Sequence, residues 1–302
     1  MSESSGTATL TAVTPKRWVG VTEMVLSGVC FGFLGIFGKQ AYTLGVLPGE
    51  LLAARFLVAS SLLAVFLSLT SPRALRLSLG EIVRCLVLGV LGYAVFASFY
   101  FEALSGLSAS LTVMLLYAYP VLVTLGARVL YGEPVGRGGW ISLPLVMLGL
   151  VMLVWGEFQM RAPRFLIFGF ASAVFYAVYI LTSRKWLART ASLPAVVFIQ
   201  AGAGISLGLL HFHNLSRLVE VVTSAWFPLL GLALVSTVAA MSLFLNGLKK
   251  LQSSEAAVLS AAEPVTACIA SAIFLGDRMS WIQLSGGVLV LAAMFTVAKR
   301  QA

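Results

Sequence analysis

Residues 245–278 read LNGLKKLQSSEAAVLSAAEPVTACIASAIFLGDR, and an offset of 144 positions places them on residues 101–134, FEALSGLSASLTVMLLYAYPVLVTLGARVLYGEP. The alignment contains eight identities in 34 positions and no gap. The shared order of features is more informative than the identities. Each stretch has a short loop, an apolar run, a proline within that run (Pro120 or Pro264), and a glycine followed by an acid at the exit. We interpret the two stretches as copies of one internal repeat.

The composition places the chain in a membrane. Of its 302 residues, 60% are hydrophobic and 10% are charged, whereas about 25% of residues are charged in ordinary globular proteins. Apolar runs of nearly the length that crosses a bilayer recur throughout the chain. Because these runs are continuous and do not alternate with polar residues, a transmembrane β-barrel is excluded. The sequence predicts an all-α polytopic membrane protein with ten transmembrane helices, of which the fifth and tenth are the shortest.

The repeat extends over the whole membrane region. The same offset aligns Phe31 with Phe175, so the first span corresponds to the sixth. Five spans per copy is an odd number, and the second copy must therefore enter the membrane upside down. We predict a disordered cytoplasmic N-terminus at residues 1–18, a first five-helix repeat at 19–156 and a second, inverted five-helix repeat at 164–298. Inverted repeats are typical of secondary transporters, with the substrate site between the copies.

The distribution of basic residues predicts the orientation. Fourteen of the 20 Lys and Arg residues fall in loops on one side of the ten predicted spans. Since basic loops stay in the cytoplasm, both termini are expected there. The net charge of +9 is explained by these loops, and we expect no nucleic-acid partner because no basic domain is present.

Motifs for catalysis or metal binding are missing from the sequence. There is no glycine-rich phosphate loop, no nucleophile elbow and no metalloprotease motif. His211 and His213 are the only histidines, and a metal site needs more ligands than these two. The three cysteines lie within apolar runs and are interpreted as small core residues. We therefore predict no catalytic residue, no metal site and no cofactor, so the protein is not expected to be an enzyme.

Aromatic side chains point to a cavity. Tyr93, Phe96 and Tyr100 share one helical face in the third span. Such stripes also pack against neighbouring helices or lipid, but tyrosine hydroxyls within a bilayer need hydrogen-bonding partners, which favours a cavity. We expect this cavity between the repeats, lined by spans one, three, four, six, eight and nine. The predicted substrate-contacting residues are Tyr93, Phe96, Tyr100, Tyr117, Phe175, Tyr179, Phe31 and Thr237.

Prolines and ionisable residues within the spans give further candidates. Pro120 and Pro264 bend their helices, either as hinges that line the cavity or as static packing kinks. Glu263 is the deepest acid, and we interpret it as a coupling group or polar gate, with capping of the broken backbone as the alternative. Asn246 is a second candidate for a polar gate. Arg55 lies inside the second span and is interpreted as a structural contact.

The closing segment carries a family resemblance. Residues 262–293, AEPVTACIASAIFLGDRMSWIQLSGGVLVLAA, resemble the end of EamA-type members of the drug/metabolite transporter superfamily. Those proteins show Glu-Pro-Val, a small-residue stretch, Leu-Gly-Glu and a Gly-Gly-rich last helix. Here the exit acid is Asp277, and Tyr119 replaces the acid in the first copy. The resemblance covers nearly all the chain and is closest to YddG-like exporters of aromatic amino acids.

The resemblance implies a function and a location. It implies a ten-helix exporter of small amphipathic metabolites, above all aromatic or neutral amino acids, that works by alternating access in a bacterial inner membrane. Its partners would be a small-molecule substrate and the lipid bilayer, and a monomer is plausible. The alternatives are a multidrug or nucleotide-sugar-type transporter and, from other classes, a non-transporting scaffold or a lipid-modifying membrane enzyme. The exact substrate and the coupling ion stay open.

Overall fold

The structure is a computed structural model that describes residues 15–107, 109–135, 137–155, 161–211, 215–274 and 279–299. All regular elements in these ranges are helices. Most of the predicted N-terminal segment lies outside the described residues, as do His213 and Asp277.

The helices follow one another along the chain with short connections. Two π-helical turns cover Leu88–Ala94 and Leu234–Ala239. In a π-helix each backbone hydrogen bond spans five residues, whereas it spans four in an α-helix. The α-helices are α1 (Pro15–Gly32), α2 (Leu34–Thr43), α3 (Pro48–Thr70), α4 (Leu79–Val87), α5 (Val95–Gly106), α6 (Ala109–Leu116), α7 (Tyr119–Tyr131), α8 (Arg137–Leu153), α9 (Arg164–Trp186), α10 (Ser192–His211), α11 (Leu215–Ser224), α12 (Trp226–Ala233), α13 (Ala240–Leu248), α14 (Ser253–Leu259), α15 (Ala262–Phe274) and α16 (Trp281–Ala298).

Within the described ranges, nine helical segments are long and apolar enough to cross a membrane. Several of them join consecutive helices, as in the segment Arg17–Thr43, which contains α1 and α2. The predicted fifth span corresponds to α8, whose apolar part, Gly139–Leu153, is shorter than the nine. These segments confirm the prediction of an all-α polytopic membrane protein.

Both prolines stand directly after a break in a membrane-spanning segment. The first break separates α6 from α7, and Pro120 is the second residue of α7. The second break separates α14 from α15, and Pro264 is the third residue of α15. Because proline has no backbone N–H to donate, it is tolerated in the first turn of a helix. Each proline therefore lies in the first turn of a new helix, where the sequence predicts a single bent helix.

The two halves of the chain pack through matching helices. In the first half, α1 packs against α13 and α15 of the second half. In the second half, α9 packs against α5 and α7 of the first. Two further pairs, α3 with α10 and α8 with α16, also join the halves.

The closest approach between α8 and α16 depends on glycine. A Cβ atom on Gly286 would lie 2.6 Å from the carbonyl oxygen of Gly149 and 2.6 Å from the backbone nitrogen of Leu153. Backbone atoms cannot move aside as a flexible side chain can. The neighbouring Gly287 is different, because its nearest atom would be the Leu153 Cδ1 at 3.6 Å, an ordinary van der Waals contact.

These two glycines form a matched pair for a stability test. Gly286→Ala is expected to lower the free energy of unfolding by about 1–3 kcal/mol, because overpacking forces the helices apart. Gly287→Ala is expected to leave stability unchanged within about 0.5 kcal/mol. Thermal unfolding of the purified variants in detergent measures both effects. Equal melting temperatures for the two variants would contradict the close approach of α8 and α16.

Candidate functional site

A cavity inside the bundle is the candidate site. It has a volume of about 70 Å³, which is room for a few water molecules. Two of its fifteen lining residues are charged, Arg55 on α3 and Glu263 on α15. Most of the rest are apolar, as is usual for sites that bind small molecules. Its aromatic lining residues are Phe31, Phe56, Tyr93, Phe96, Tyr100, Phe101, Tyr117 and Tyr176.

Tyr93 stands at the centre of the aromatic lining. It lies in the first π-helical turn, and only 5% of its surface is exposed. Its ring centroid is 5.3 Å from that of Phe56, 4.9 Å from Phe96 and 5.4 Å from Tyr179, each in an edge-to-face arrangement. This geometry is favourable because the edge of one ring is positive and the face of the next is negative. Tyr93 therefore ties α3, α5 and α9 together around the cavity.

Most of the predicted substrate-contacting residues lie together. The cavity brings Phe31, Tyr93, Phe96, Tyr100 and Tyr117 to one place, with Glu263 among them. The structure also gives the second span a larger part than expected, since Leu52, Arg55 and Phe56 of α3 all line the cavity.

Four candidates lie elsewhere. Tyr179 is buried behind Tyr93 and does not reach the cavity lining. Thr237 is buried in the second π-helical turn, behind Arg55. Asn246 is half-buried on α13, away from the cavity. Phe175 is 36% exposed and lines a groove on the outer surface of α9.

The inward-facing residue next to Phe175 is Tyr176, which the sequence reasoning missed. Its ring stacks parallel to that of Tyr179 with the centroids 6.1 Å apart, whereas Phe175 stacks on Phe99 at 5.1 Å. A step of one residue rotates the side chain by about 100° around a helix, enough to move it from one face to the next. The signal available in the sequence was the polar stripe Ser172, Tyr176, Tyr179 and Ser183, which repeats at helical spacing.

Arg55 joins the two halves of the chain inside the membrane. Its Nε donates a hydrogen bond of 2.6 Å to the Thr237 hydroxyl, and its Nη2 donates one of 2.6 Å to the Ser236 carbonyl. The Thr237 hydroxyl in turn donates to the Leu232 carbonyl at 2.8 Å. The second π-helical turn leaves acceptors available at this point, and only 3% of the Arg55 surface is exposed. Its guanidinium group is thus held in one orientation at the cavity wall.

The two breaks in the membrane-spanning segments meet at the cavity. The Tyr117 hydroxyl donates to the Glu263 carboxylate at 3.0 Å, and Tyr119 and Ser260 are hydrogen-bonded through their hydroxyls. Both bonds connect the break between α6 and α7 to the break between α14 and α15. Pro120 and Pro264 begin the helices beyond the breaks, and neither lines the cavity. The role of these prolines as hinges stays a prediction.

A second polar region, which we call the Arg184 cluster, lies where α7, α9 and α13 end. Arg184 pairs with Glu133 at 2.7 Å and donates hydrogen bonds to the carbonyls of Leu248 and Leu251. Glu133 also accepts a bond of 3.0 Å from the backbone nitrogen of Ser253, the first residue of α14. Since a carboxylate at a helix N-terminus is favourable, Glu133 stabilises both the arginine and the helix. The cluster connects the two halves of the chain.

Further charged contacts surround the Arg184 cluster. Arg17 pairs with Glu255 at 3.0 Å, and Lys250 pairs with Glu23. Lys249 donates to the Ser192 hydroxyl at 2.8 Å. Partial burial, with the adjacent Lys250 as the second cause, lowers the pKa of Lys249. Each of the two ion pairs joins one half of the chain to the other.

The opposite end of the bundle has one prominent ion pair. Arg217 on α11 binds the Glu50 carboxylate in a fork, with distances of 2.8 Å from Nε and 2.9 Å from Nη2. Hydrogen bonding to Glu50 raises the pKa of Arg217. In the part of the chain that the structure describes, no group of three His, Cys, Asp or Glu residues could hold a metal ion.

Comparisons with known proteins cover nearly the whole length of the chain. The model of the EamA-like transporter family matches the chain twice, at residues 18–155 and 164–298. An uncharacterized transporter of Archaeoglobus fulgidus is 28% identical over 277 residues, which cover 91% of this chain and 94% of that protein. The uncharacterized transporter YcbK of Bacillus subtilis is 26% identical over 283 residues, covering 88% of each chain.

A solved crystal structure supports the fold. It matches with a TM-score of 0.74 and 22% sequence identity, and the match covers 93% of this chain and 95% of that one. At this identity the likeness concerns the fold alone. Together with the nine apolar segments, the family match makes this chain a multi-pass membrane protein.

Proposed function

Because the chain belongs to the EamA-like transporter family, we propose that it exports small amphipathic metabolites, above all aromatic and neutral amino acids. The observation that carries this proposal is the cavity, in which eight aromatic side chains surround one arginine and one glutamate. The aromatic rings suit an apolar side chain, and the two charges suit a polar head group. A YddG-like exporter of aromatic amino acids is the subtype with the closest chemistry.

We further propose that the protein consists of two inverted five-helix repeats and works by alternating access. The double match to the family model and the reciprocal packing of α1 and α9 support the repeat. The predicted fifth span, α8, would bring the number of spans to ten, and it is short but apolar. Substrate sites in such folds lie between the repeats, where broken helices meet.

Under alternating access, one end of the cavity is closed at a time. The Arg184 cluster and the two nearby ion pairs join the halves at one end of the bundle, which we take as the closed end. The excess of Lys and Arg in loops on that side supports a cytoplasmic position for this end and for both termini. The membrane would be a bacterial inner membrane.

Other transport substrates fit the cavity less well. Sugar phosphates need several cations, and Arg55 is the one cation among the described residues of the cavity wall. A multidrug transporter is the second candidate, because an acid within an aromatic cage also suits lipophilic amines. A lipid-modifying enzyme would need a nucleophile or metal at the site, and a scaffold would need no cavity.

Counterflow in liposomes tests the proposal. The purified protein is reconstituted in vesicles loaded with unlabelled amino acids, and uptake of a panel of labelled amino acids is measured with and without a proton gradient. We expect uptake of aromatic or neutral amino acids above protein-free vesicles. Uptake of lipophilic amines without any amino acid would support the multidrug alternative, and no uptake of either class would contradict transport of amphipathic metabolites.

Two variants test whether the cavity is the route. Tyr100→Ala removes a ring from the cavity wall and is expected to slow counterflow by about tenfold, because ring contacts and burial are lost together. Phe175→Ala is the matched control, since that ring lies in the outer groove of α9. It is expected to retain counterflow within about twofold. Equal losses in the two variants, at equal protein levels in the vesicles, would show that the route lies elsewhere.

A further inference from the structure

Two opposite charges share the cavity without neutralising each other. Arg55 and Glu263 both line it and interact electrostatically. Among the ion pairs of the described residues, however, none joins these two groups. Charged side chains at this depth in a bilayer are costly and are found where they have a function. The pair therefore needs an explanation beyond packing.

Each charged side chain has protein partners and also lines the cavity. Arginine has five N–H donors in a rigid fork. Two of them bond to Thr237 and Ser236, and the Tyr93 hydroxyl is a third partner. Glu263 has one bond from the Tyr117 hydroxyl, whereas a carboxylate can accept about four hydrogen bonds. Both groups thus keep hydrogen-bonding capacity after their protein contacts are counted.

The residues that line the cavity restrict which chemical groups a ligand can carry. Arg55 suits a carboxylate, because the guanidinium fork matches two carboxylate oxygens. Glu263 suits an ammonium group. Around both charges the wall is aromatic, and the ring of Phe96 contacts those of Tyr93 and Tyr176. At about 70 Å³ the cavity excludes a large conjugate, and the aromatic rings must move apart to admit phenylalanine or leucine.

We propose that Arg55 and Glu263 together select free α-amino acids in their zwitterionic form. Arg55 binds the α-carboxylate, Glu263 binds the α-ammonium group, and the side chain lies among the aromatic rings. This assignment rests on the proposed function and adds the chemical requirement that both head groups be free. A ligand with only one of the two charges leaves the other buried group without its partner, which a site of this kind rejects strongly.

The test uses two trios of ligands that differ only in their head groups. The first is L-phenylalanine, 2-phenylethylamine and 3-phenylpropionate, and the second is L-leucine, 3-methylbutylamine and 4-methylpentanoate. Binding to the purified full-length protein in nanodiscs is measured by calorimetry for the wild type, Arg55→Gln and Glu263→Gln. In the wild type, at least one of the amino acids should bind about tenfold or more tightly than its amine and its acid.

The variants should separate the two charges. Arg55→Gln should bind the amino acid and its acid about tenfold more weakly and bind the amine unchanged. Glu263→Gln should bind the amino acid and its amine about tenfold more weakly and bind the acid unchanged. Arg76→Gln and Glu102→Gln change the same residue types at exposed positions and serve as controls. If the glutamine variant folds poorly, Arg55→Lys takes its place in the test. Because it keeps the positive charge, it should retain part of the carboxylate preference.

The outcomes distinguish this inference from the proposed function. If the wild type binds amino acids but each variant weakens all three ligands of a trio equally, the zwitterion assignment is wrong and amino-acid binding stands. If the wild type binds an amine or an acid as well as the amino acid, the assignment is equally wrong. If no amino acid binds and counterflow is also absent, both the proposed function and this assignment are wrong.

Discussion

Tyr93→Ala is expected to lose nearly all transport and a large part of the stability. The ring contacts Phe56, Phe96 and Tyr179 at centroid distances of 4.9–5.4 Å. Removing a large buried aromatic side chain costs about 3–5 kcal/mol, because the lost contacts leave a cavity that the helices fill only in part. In this protein the new space would open directly into the candidate site.

Stability and transport must be measured separately for this variant. Thermal unfolding in detergent gives the first, and counterflow normalised to folded protein in the vesicles gives the second. Tyr93→Phe keeps the ring and should retain most of the stability. Phe170→Ala removes a ring that is 50% exposed on the outer surface and is the matched control. If Tyr93→Ala unfolds at the same temperature as Phe170→Ala, the central position of Tyr93 is wrong.

Arg184→Met is expected to open the end of the bundle that the Arg184 cluster joins. The variant loses the ion pair with Glu133 and two bonds to the carbonyls of Leu248 and Leu251. Because the side chains of Arg184 and Glu133 are 26% and 16% exposed, water replaces part of what is lost. We expect a net cost of about 2 kcal/mol to the closed arrangement, which shifts its population by about thirtyfold.

Thiol labelling from each side of the membrane measures this shift. A single cysteine, Ala97→Cys, reports on the cavity wall in a chain whose three native cysteines are replaced. In oriented vesicles, a membrane-impermeant reagent added on the side of the Arg184 cluster should label the Arg184→Met variant much faster than the parent chain. Reagent added on the other side should label it more slowly, because the cavity is closed on that side whenever it is open at the Arg184 cluster.

Arg189→Met provides the control for this experiment. Arg189 is exposed five residues further along the chain, so its replacement removes a charge without breaking the cluster. It should leave labelling from both sides unchanged, and Arg184→Lys should fall between the parent and Arg184→Met. Unchanged labelling of Arg184→Met would mean that the cluster stabilises the fold without controlling access.

Local sequence patterns were sufficient to locate the two breaks. Pro120 and Pro264 lie at equivalent positions, and the structure interrupts the helices two to four residues before them. This worked because the effect of proline on its own helix is local: the ring removes a backbone donor whatever the surroundings. The interpretation of Tyr93, Phe96 and Tyr100 as one face used the same local periodicity.

Arg55 shows where that reasoning stopped. In the sequence it is one charge within an apolar run, and a structural contact was the natural interpretation. Its partners, Ser236 and Thr237, are more than 180 residues away and lie in a π-helical turn that no sequence pattern announced. The structure makes Arg55 both a contact between the halves and a part of the cavity wall.

Membrane insertion, the helical class and the two breaks near proline follow from the amino-acid sequence alone, because hydropathy, helix length and proline effects depend on each residue and its near neighbours. The selection of Tyr176 over Phe175, the presence of Arg55 beside Glu263 and the joining of Glu133 to Arg184 depend on the tertiary structure. Each of these is a matter of helix rotation or of distance between remote segments. A rotation of about 100° moves a side chain from lipid to cavity without changing the hydropathy of the helix.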